Sequence, residues 1–187
     1  MPPKKKLTRE TIVNAALALV KERGADHLNA RELAGRLGTS TQPIFSQFAT
    51  MQELKAAVLD AAYECYLAYQ KEDIEKGNYP PYKASGMSYI RFAEEEKELF
   101  KLLFMRSRRN ETYSPSEADD MATMVAEMMA IPLDKARRFH LSMWIFVHGV
   151  ATMLATDYIT FSEETVSSLI TDTFQGLKRQ YDTEELT

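Results

Sequence analysis

Hydrophobic positions recur with the period of an α-helix through almost the whole chain. From Ile12 onward, apolar residues follow at the i+3, i+4, i+7 and i+8 positions, namely Ala15, Ala16, Leu19 and Val20. Such spacing gives a helix one apolar face. No segment alternates apolar and polar residues over the length of a strand. The pattern therefore predicts an all-α fold of about nine helices without a sheet.

Residues that favour helix ends separate the apolar stripes. Gly24 is placed to end the first helix. Thr50 and Glu53 have the spacing of a capping box ahead of a long stripe formed by Leu54, Val58, Ala61, Ala62 and Cys65. Glycines and prolines interrupt the pattern over residues 77–86, which predicts a loop, and the pattern resumes over residues 92–104.

Three further helices are predicted in the carboxy-terminal part. Ser114 and Glu117 form a start signal for a helix with a stripe of Met121, Met124, Val125, Met128 and Met129. Pro132 separates it from a helix that runs to about Tyr158 and is apolar nearly all round, which predicts a central position. The last helix begins near Ser162 and is expected to bury Val166, Leu169, Ile170, Phe174 and Leu177.

Charge is distributed unevenly along the 187 residues. The composition, 45% hydrophobic and 27% charged, is that of a soluble globular protein, and the net charge is −4. Residues 1–50 hold eight Lys and Arg against four Asp and Glu, net +4, whereas residues 51–187 hold fifteen against twenty-three, net −8. A basic part joined to an acidic part suits a phosphate-binding module attached to a sensing or dimerising module. Ordinary surface charge with a basic tail is the alternative.

Cysteine usage and apolar run length bear on location and cofactors. Cys65 is the single cysteine, so an internal disulfide and a cysteine-based zinc site are excluded, and a reducing, cytoplasmic location is expected. No export signal is expected from the residues after the basic start, and the longest apolar stretch, residues 141–155, is too short to span a bilayer. We expect no metal, no cofactor and no membrane partner.

Residues 29–48 read NARELAGRLGTSTQPIFSQF, and this spacing predicts two helices that cross at a steep angle. Ala34 allows the second helix to approach closely, and Gly38 suits the left-handed turn between the helices. Ile44 is expected to fill the gap beside Leu33 and Leu37. The segment therefore predicts a helix-turn-helix, with a tight helix corner of no functional meaning as the alternative.

Three stretches together resemble the amino-terminal domain of the tetracycline-repressor (TetR) family. They are LTRETIVNAALALVKERG, ARELAGRLGTSTQPIFSQF and MQEL, and the resemblance covers about residues 7–60. The stretch WIFVHGVA, residues 144–151, is similar to a tryptophan-histidine-glycine stretch in the carboxy-terminal domains of some members. The resemblance implies a three-helix DNA-binding domain over residues 1–50 and a ligand-binding and dimerisation domain over residues 51–187. It also implies a dimer formed largely by the last two helices.

The resemblance places the recognition helix at about Ser40 to Phe48. Ser40, Thr41 and Gln42 would then face the major groove, where a glutamine can bond to both polar atoms of an adenine edge. Phe45 stands where the family usually has a phosphate-contacting tyrosine, and Gln47 stands where histidine is common. Other candidate DNA contacts are Lys4, Lys5, Lys6, Arg9, Asn29, Arg31 and Lys55.

Methionines and aromatics of the larger part can line an adaptable apolar pocket. The candidate lining residues are Phe92, Phe100, Phe104, Met121, Met124, Met128, Trp144 and His148. Plain hydrophobic core is the alternative for each of them. His140, Trp144 and His148 step by four along one helix face, so we hypothesise a small organic ligand whose polar group meets His148. A buried histidine satisfied within the protein is the alternative to that hypothesis.

The chain is thus predicted to be a homodimeric DNA-binding transcriptional regulator. A repressor released from an inverted-repeat operator in double-stranded DNA by a small-molecule effector is the form that the resemblance implies. Enzymatic activity is not expected, because the sequence contains no glycine-rich phosphate loop, nucleophile elbow or metal-binding motif. A helical scaffold that binds only protein is the remaining alternative.

Overall fold

The computed structural model describes residues 7–107 and 116–184, except for the side chains of residues 116–118 and 182–184. These residues form nine α-helices and one short 3-10 helix, Ala25–His27, and contain no strand. The all-α prediction is therefore confirmed. The α-helices are α1 (Arg9–Arg23), α2 (Ala30–Arg36), α3 (Gln42–Phe45), α4 (Met51–Lys76), α5 (Pro81–Glu95), α6 (Lys97–Phe104), α7 (Ser116–Met129), α8 (Leu133–Ala155) and α9 (Glu163–Glu184).

The chain divides into two compact units. The first unit contains the described residues up to Ala68 together with Glu96–Arg106, and so holds α1 to α3, most of α4, and α6. The second unit contains Tyr69–Glu95 and the described residues from Ser107 onward. This division differs from the predicted functional boundary after residue 50, because α6 packs on α1. The functional boundary itself stays a prediction.

Helix ends in the first unit are fixed by the residues that local pattern indicated. Gly24 ends α1 with φ at +85°, and its N–H donates to the carbonyl of Val20 at 2.8 Å. Thr50 Oγ1 accepts the N–H of Glu53 at 3.1 Å, as predicted. The Glu53 carboxylate, however, accepts the N–H of Ala49 at 2.8 Å, whereas in a full capping box it would accept the N–H of Thr50. The core of this unit includes Ile12, Val20, Leu33, Ile44, Phe48, Leu54, Val58, Leu99 and Phe100.

In the second unit, α8 packs against α5 and α7, and α9 packs against α5 and α8. The predicted loop over residues 77–86 is wrong in extent, because α5 already begins at Pro81 and includes Gly86. Proline is tolerated in the first turn of a helix, where its missing N–H would have no partner. The continuous stretch expected over residues 92–104 is also interrupted, since Glu96 (φ −121°, ψ 50°) separates α5 from α6.

Burial along α7, α8 and α9 corrects three expectations. Helix α7 buries Ala122 and Val125, whereas Met124 and Met128 of its methionine stripe are exposed. Helix α8 is not buried all round in the single chain, because Leu141, Trp144 and Ile145 lie 55%, 44% and 59% exposed. Along α9, Val166 and Ile170 are buried, Leu169 is exposed, and Phe174 and Leu177 are half-buried. Apolar periodicity identifies residues that prefer burial, but it does not show which surface covers them.

Candidate nucleic-acid interface

The helix-turn-helix begins at Asn29, which caps α2. Its Oδ1 accepts the N–H of Glu32 at 3.0 Å, and its Nδ2 donates to Glu32 Oε1 at 3.2 Å. The turn after α2 contains Gly38 at φ +63°, a left-handed conformation that favours glycine. Leu33, Ala34 and Ile44 are buried as the residue spacing predicted.

The recognition segment, residues 40–48, holds a shorter helix than predicted. Helix α3 covers only Gln42–Phe45, and the residue before it is Thr41, so Ser40 does not cap it. The carbonyl of Thr41 accepts the N–H groups of Ile44 and Phe45 at 3.1 and 3.2 Å. The Ser46 hydroxyl donates to the carbonyl of Pro43 at 2.7 Å, a local bond of the kind that competes with helix extension. The helical part of the recognition segment is therefore a single turn.

Two buried side chains anchor the recognition segment and leave others exposed. Ile44 is 0% and Phe48 is 1% exposed. Ser40 and Gln42 are exposed, Thr41 and Gln47 are half-buried, and the Phe45 ring is 44% exposed. The segment thus offers hydroxyl and amide groups beside an aromatic ring, a combination suited to base edges and the thymine methyl group.

Arg9 makes three contacts within the first unit. Its Nη1 donates to Glu53 Oε1 at 2.7 Å and to the backbone carbonyl of Gln47 at 3.1 Å. Its guanidinium lies over the Phe48 ring, 4.1 Å from the ring centroid. The pKa of Glu53 is lowered, first by the hydrogen bond from Arg9 and then by the N–H of Ala49. No local pattern indicates this pairing, because Arg9 and Glu53 are 44 residues apart.

Most other cations of this region are also paired with carboxylates. Of six Lys and Arg between residues 7 and 58, Lys21 pairs with Glu96, Arg23 with Glu32 and Arg36 with Glu22, in addition to the Arg9 pair. The remaining two, Arg31 and Lys55, are exposed and have no partner among the described residues. Lys4, Lys5 and Lys6 lie outside the described residues. Glu53 and Glu96 lie outside residues 1–50, so their ion pairs compensate two of the four excess positive charges of that part of the chain.

Two family models match separate parts of the chain. Residues 12–58 match the model of bacterial regulatory proteins of the tetR family, and residues 82–173 match a tetracyclin repressor-like carboxy-terminal domain. The chain belongs to the TetR family. This TetR-family protein is a DNA-binding transcriptional regulator, as predicted.

The similarity extends to a solved structure described as a protein with unknown function from Rhodococcus sp. RHA1. The two chains are 22% identical, and the TM-score is 0.73 over 94% of this chain and 97% of the other. At that identity the likeness concerns the fold alone. No curated protein matches the TetR-family chain significantly. No helix in the described ranges is both long and apolar enough to cross a membrane.

The eight side chains predicted to line a ligand pocket are divided between the units. Phe100 and Phe104 belong to α6 of the first unit, and the other six belong to the second. Within the second unit, Phe92 is buried, Met121 is half-buried, and Met124 and Met128 are exposed. A polar groove of about 300 Å³ in this unit is formed by different residues, Asp134, Lys135, Arg138, Ser142, Leu177, Gln180 and Tyr181. The methionine and aromatic stripes thus do not identify this groove.

Two tyrosine–histidine pairs connect α5 and α8. Tyr82 Oη lies 3.0 Å from His140 Nδ1, and Tyr89 Oη lies 2.8 Å from His148 Nδ1. The His148 ring also stacks on Trp144, with centroids 5.0 Å apart. Burial lowers the pKa of both histidines, which favours their neutral forms. The tyrosines are seven residues apart and the histidines eight, so each set spans two helical turns. The pattern of α5 alone, or of α8 alone, did not show which tyrosine meets which histidine.

A buried polar atom lies one turn beyond the second pair. Thr152 follows His148 by four residues on α8. Its Oγ1 is buried and has no hydrogen-bond partner in the described structure. Buried hydroxyls usually have a partner, so this atom has unused capacity to donate or accept.

Proposed function

We propose that this regulator is a cytoplasmic homodimer that represses transcription by binding an inverted-repeat operator in double-stranded DNA. A small-molecule effector then releases it. The proposal assigns DNA reading to residues 1–50, effector binding and dimerisation to residues 51–187, and no catalytic role to any residue. The observation that supports it most directly is the recognition segment, whose polar side chains are exposed while Ile44 and Phe48 are buried beneath them.

Base reading is assigned to the exposed groups of that segment. Gln42 supplies an amide that can pair with an adenine edge, and the hydroxyls of Ser40 and Thr41 bond to neighbouring bases or phosphates. Phe45 has no hydroxyl for a phosphate, so we assign its exposed ring to apolar contact with a thymine methyl group. Gln47 is half-buried, and we assign its side-chain amide to a backbone phosphate.

Phosphate binding is assigned first to the cations without a carboxylate partner. Arg31 and Lys55 are exposed and unpaired in the described part of the chain, so they can neutralise phosphates without first breaking an ion pair. Asn29 remains exposed although it caps α2, and the partial positive charge at the N-terminus of that helix suits an anion. Lys5 and Lys6 complete the proposed phosphate contacts.

Dimer formation is assigned to α8 and α9. Leu141, Trp144 and Ile145 on α8 and Leu169 on α9 are exposed apolar side chains, and association would remove them from water. A two-fold symmetric dimer presents two recognition segments related by the same symmetry. Its operator should therefore be an inverted repeat with half-sites about one helical turn apart, or a multiple of it.

Effector binding is assigned to the region around His148. Three features support a ligand with an aromatic or apolar body and one polar group: the Trp144 ring, the neutral His148, and the unpartnered hydroxyl of Thr152. Release from DNA requires the effector to bind one of two dimer conformations more tightly than the other. Replacement of His148 by Gln with unchanged effector affinity would contradict this assignment.

The regulator proposal is tested by selecting duplexes from a random DNA pool with the purified full-length protein. We expect an enriched palindrome, and Gln42→Ala should change the preferred base at one position in each half-site. Gln52→Ala is the matched control, since Gln52 is an exposed glutamine of the same unit outside the recognition segment. Failure to enrich any duplex at low salt would contradict the proposal.

A further inference from the structure

The contacts of Arg9 form a clasp around the end of the recognition segment. We call Arg9, Gln47, Phe48, Ala49 and Glu53 the Arg9 clasp. Arg9 lies at the start of α1, and Glu53 lies in the first turn of α4. Residues 46–50, which connect α3 to α4, form neither a helix nor a strand. The clasp therefore ties this connection to two helices.

The Arg9 guanidinium contributes one nitrogen and its planar face to the clasp. One nitrogen donates both to the Gln47 carbonyl and to the Glu53 carboxylate, at 3.1 and 2.7 Å. The planar face covers the Phe48 ring at 4.1 Å. The second Glu53 oxygen accepts the N–H of Ala49 at 2.8 Å. A planar, delocalised cation suits this combination of stacking and hydrogen bonding, and a lysine ammonium does not.

We propose that Arg9 is a positioning residue for the recognition segment and not a phosphate contact. It acts through Gln47 and Glu53, which hold α3 at the angle needed to read base edges. This inference rests on the proposed recognition segment and replaces the direct DNA contact that the sequence predicted for Arg9. The carboxylate of Glu53 already neutralises part of the Arg9 charge, which weakens the attraction of Arg9 to a phosphate.

The two roles predict opposite effects of Glu53→Gln. If Arg9 contacts phosphate, removing the carboxylate charge frees the guanidinium and strengthens DNA binding. If Arg9 positions the segment, the same substitution weakens the clasp and lowers the preference for the operator over unrelated DNA. Arg9→Lys separates the roles again, because lysine keeps the charge for a phosphate but does not reproduce the planar stack.

The experiment uses the full-length protein, the duplex that the wild type selects from a random pool, and a scrambled duplex. Dissociation constants are measured over a range of KCl concentrations for the wild type, Arg9→Ala, Arg9→Lys, Glu53→Gln and the Arg9→Ala/Glu53→Gln double variant. Circular dichroism establishes a temperature at which every variant is folded. Arg137→Ala is the matched control, since Arg137 is a similarly exposed arginine bound to a carboxylate, Asp119, in the second unit.

We expect all three single variants to lower the ratio of selected to scrambled affinity, by about tenfold for Arg9→Ala, the scale of one mismatched base pair. The slope of log affinity against log salt should stay unchanged. The double variant should be no worse than Arg9→Ala, because the two residues act as one unit. The control should bind like the wild type.

Three results would overturn the inference. A salt slope reduced by about 0.9 for each phosphate that the variant no longer neutralises, together with rescue by Arg9→Lys, would make Arg9 a phosphate contact. Lower melting temperatures with unchanged dissociation constants would make the clasp only a stabilising contact. Each of these two results requires a wild-type protein that selects a duplex, so each leaves the proposed function intact. A wild-type protein that selects no duplex would overturn both the inference and the proposed function.

Discussion

The two units of the protein use polar side chains in different ways. In the first unit, polar groups fix the ends of short elements: Asn29 caps α2, Thr50 caps α4, and Arg9 binds the chain between α3 and α4. In the second unit, polar contacts lie along helices, where Tyr82 and Tyr89 of α5 meet His140 and His148 of α8. The second unit also leaves several large apolar side chains of α8 exposed.

The difference follows from the length of the elements. Helix α3 is a single turn of four residues, too short to be stable by itself, so its position depends on two buried anchors and on contacts at its ends. Helices α8 and α9 have 23 and 22 residues, so their geometry depends much less on contacts at their ends. A short element held from its ends can be aimed accurately, whereas long helices can expose an apolar face to a partner.

The largest effect should come from breaking an anchor in the first unit. Phe48→Ala removes a ring that is 1% exposed, and we expect the free energy of unfolding to fall by about 3–5 kcal/mol because a cavity remains. Phe45→Ala is the matched control, since the Phe45 ring is 44% exposed and should cost far less. Urea denaturation followed by circular dichroism measures both. Equal losses would contradict the anchor role of Phe48.

The exposed apolar face of the second unit provides the next prediction. Ile145→Lys places a charge on the most exposed large apolar residue of α8 and should raise the dimer dissociation constant by about a hundredfold. Sedimentation equilibrium measures this constant. Ile159→Lys changes another exposed isoleucine, in the connection between α8 and α9, and should have little effect. An unchanged dimer in Ile145→Lys would place the interface elsewhere.

Pairing of cations in the first unit predicts which arginines contribute to salt dependence. Arg31→Ala removes an unpaired arginine, so the slope of log affinity against log salt should fall by about 0.9 for each phosphate that Arg31 neutralises in the wild type. Arg36→Ala removes an arginine held by two hydrogen bonds of 2.6 Å to Glu22 and should leave the slope unchanged. Filter binding over a salt series measures both. The reverse order would show that ion pairing does not withhold cations from DNA.

The smallest effect is expected from the histidines of the second unit. Burial lowers the pKa of His140 and His148, so the unfolded chain takes up their protons at higher pH than the folded protein. The free energy of unfolding should therefore fall as the pH drops through the ordinary histidine range and should level off once the folded form is protonated as well. Thermal melts from about pH 7.5 to about pH 5, an interval that includes the ordinary histidine pKa, measure this dependence.

Substitutions assign that pH dependence to the tyrosine–histidine pairs. The double variant His140→Gln/His148→Gln should reduce the pH dependence of the melting transition of the second unit. His27→Gln should leave it in place, because His27 belongs to the first unit. A double variant that retains the full pH dependence would show that other groups cause it.

Sequence alone determined the features that depend on neighbouring residues. The end of α1 at Gly24, the start of α4 at Thr50 and the break between α7 and α8 at Pro132 were predicted correctly. Each rests on a side chain or backbone conformation that acts within about four residues. The spacing of Leu33, Ala34 and Ile44 likewise indicated the helix-turn-helix, since these residues pack across one short turn.

Tertiary structure alone decided the features that join distant parts of the chain. Arg9 meets Glu53 across 44 residues, and the two tyrosine–histidine pairs span 58 and 59. Exposure of Trp144 and Ile145, on a helix expected to be buried all round, was equally invisible in the apolar pattern. The period of a sequence fixes which residues share a helix face, but the packing of whole helices decides what each face meets.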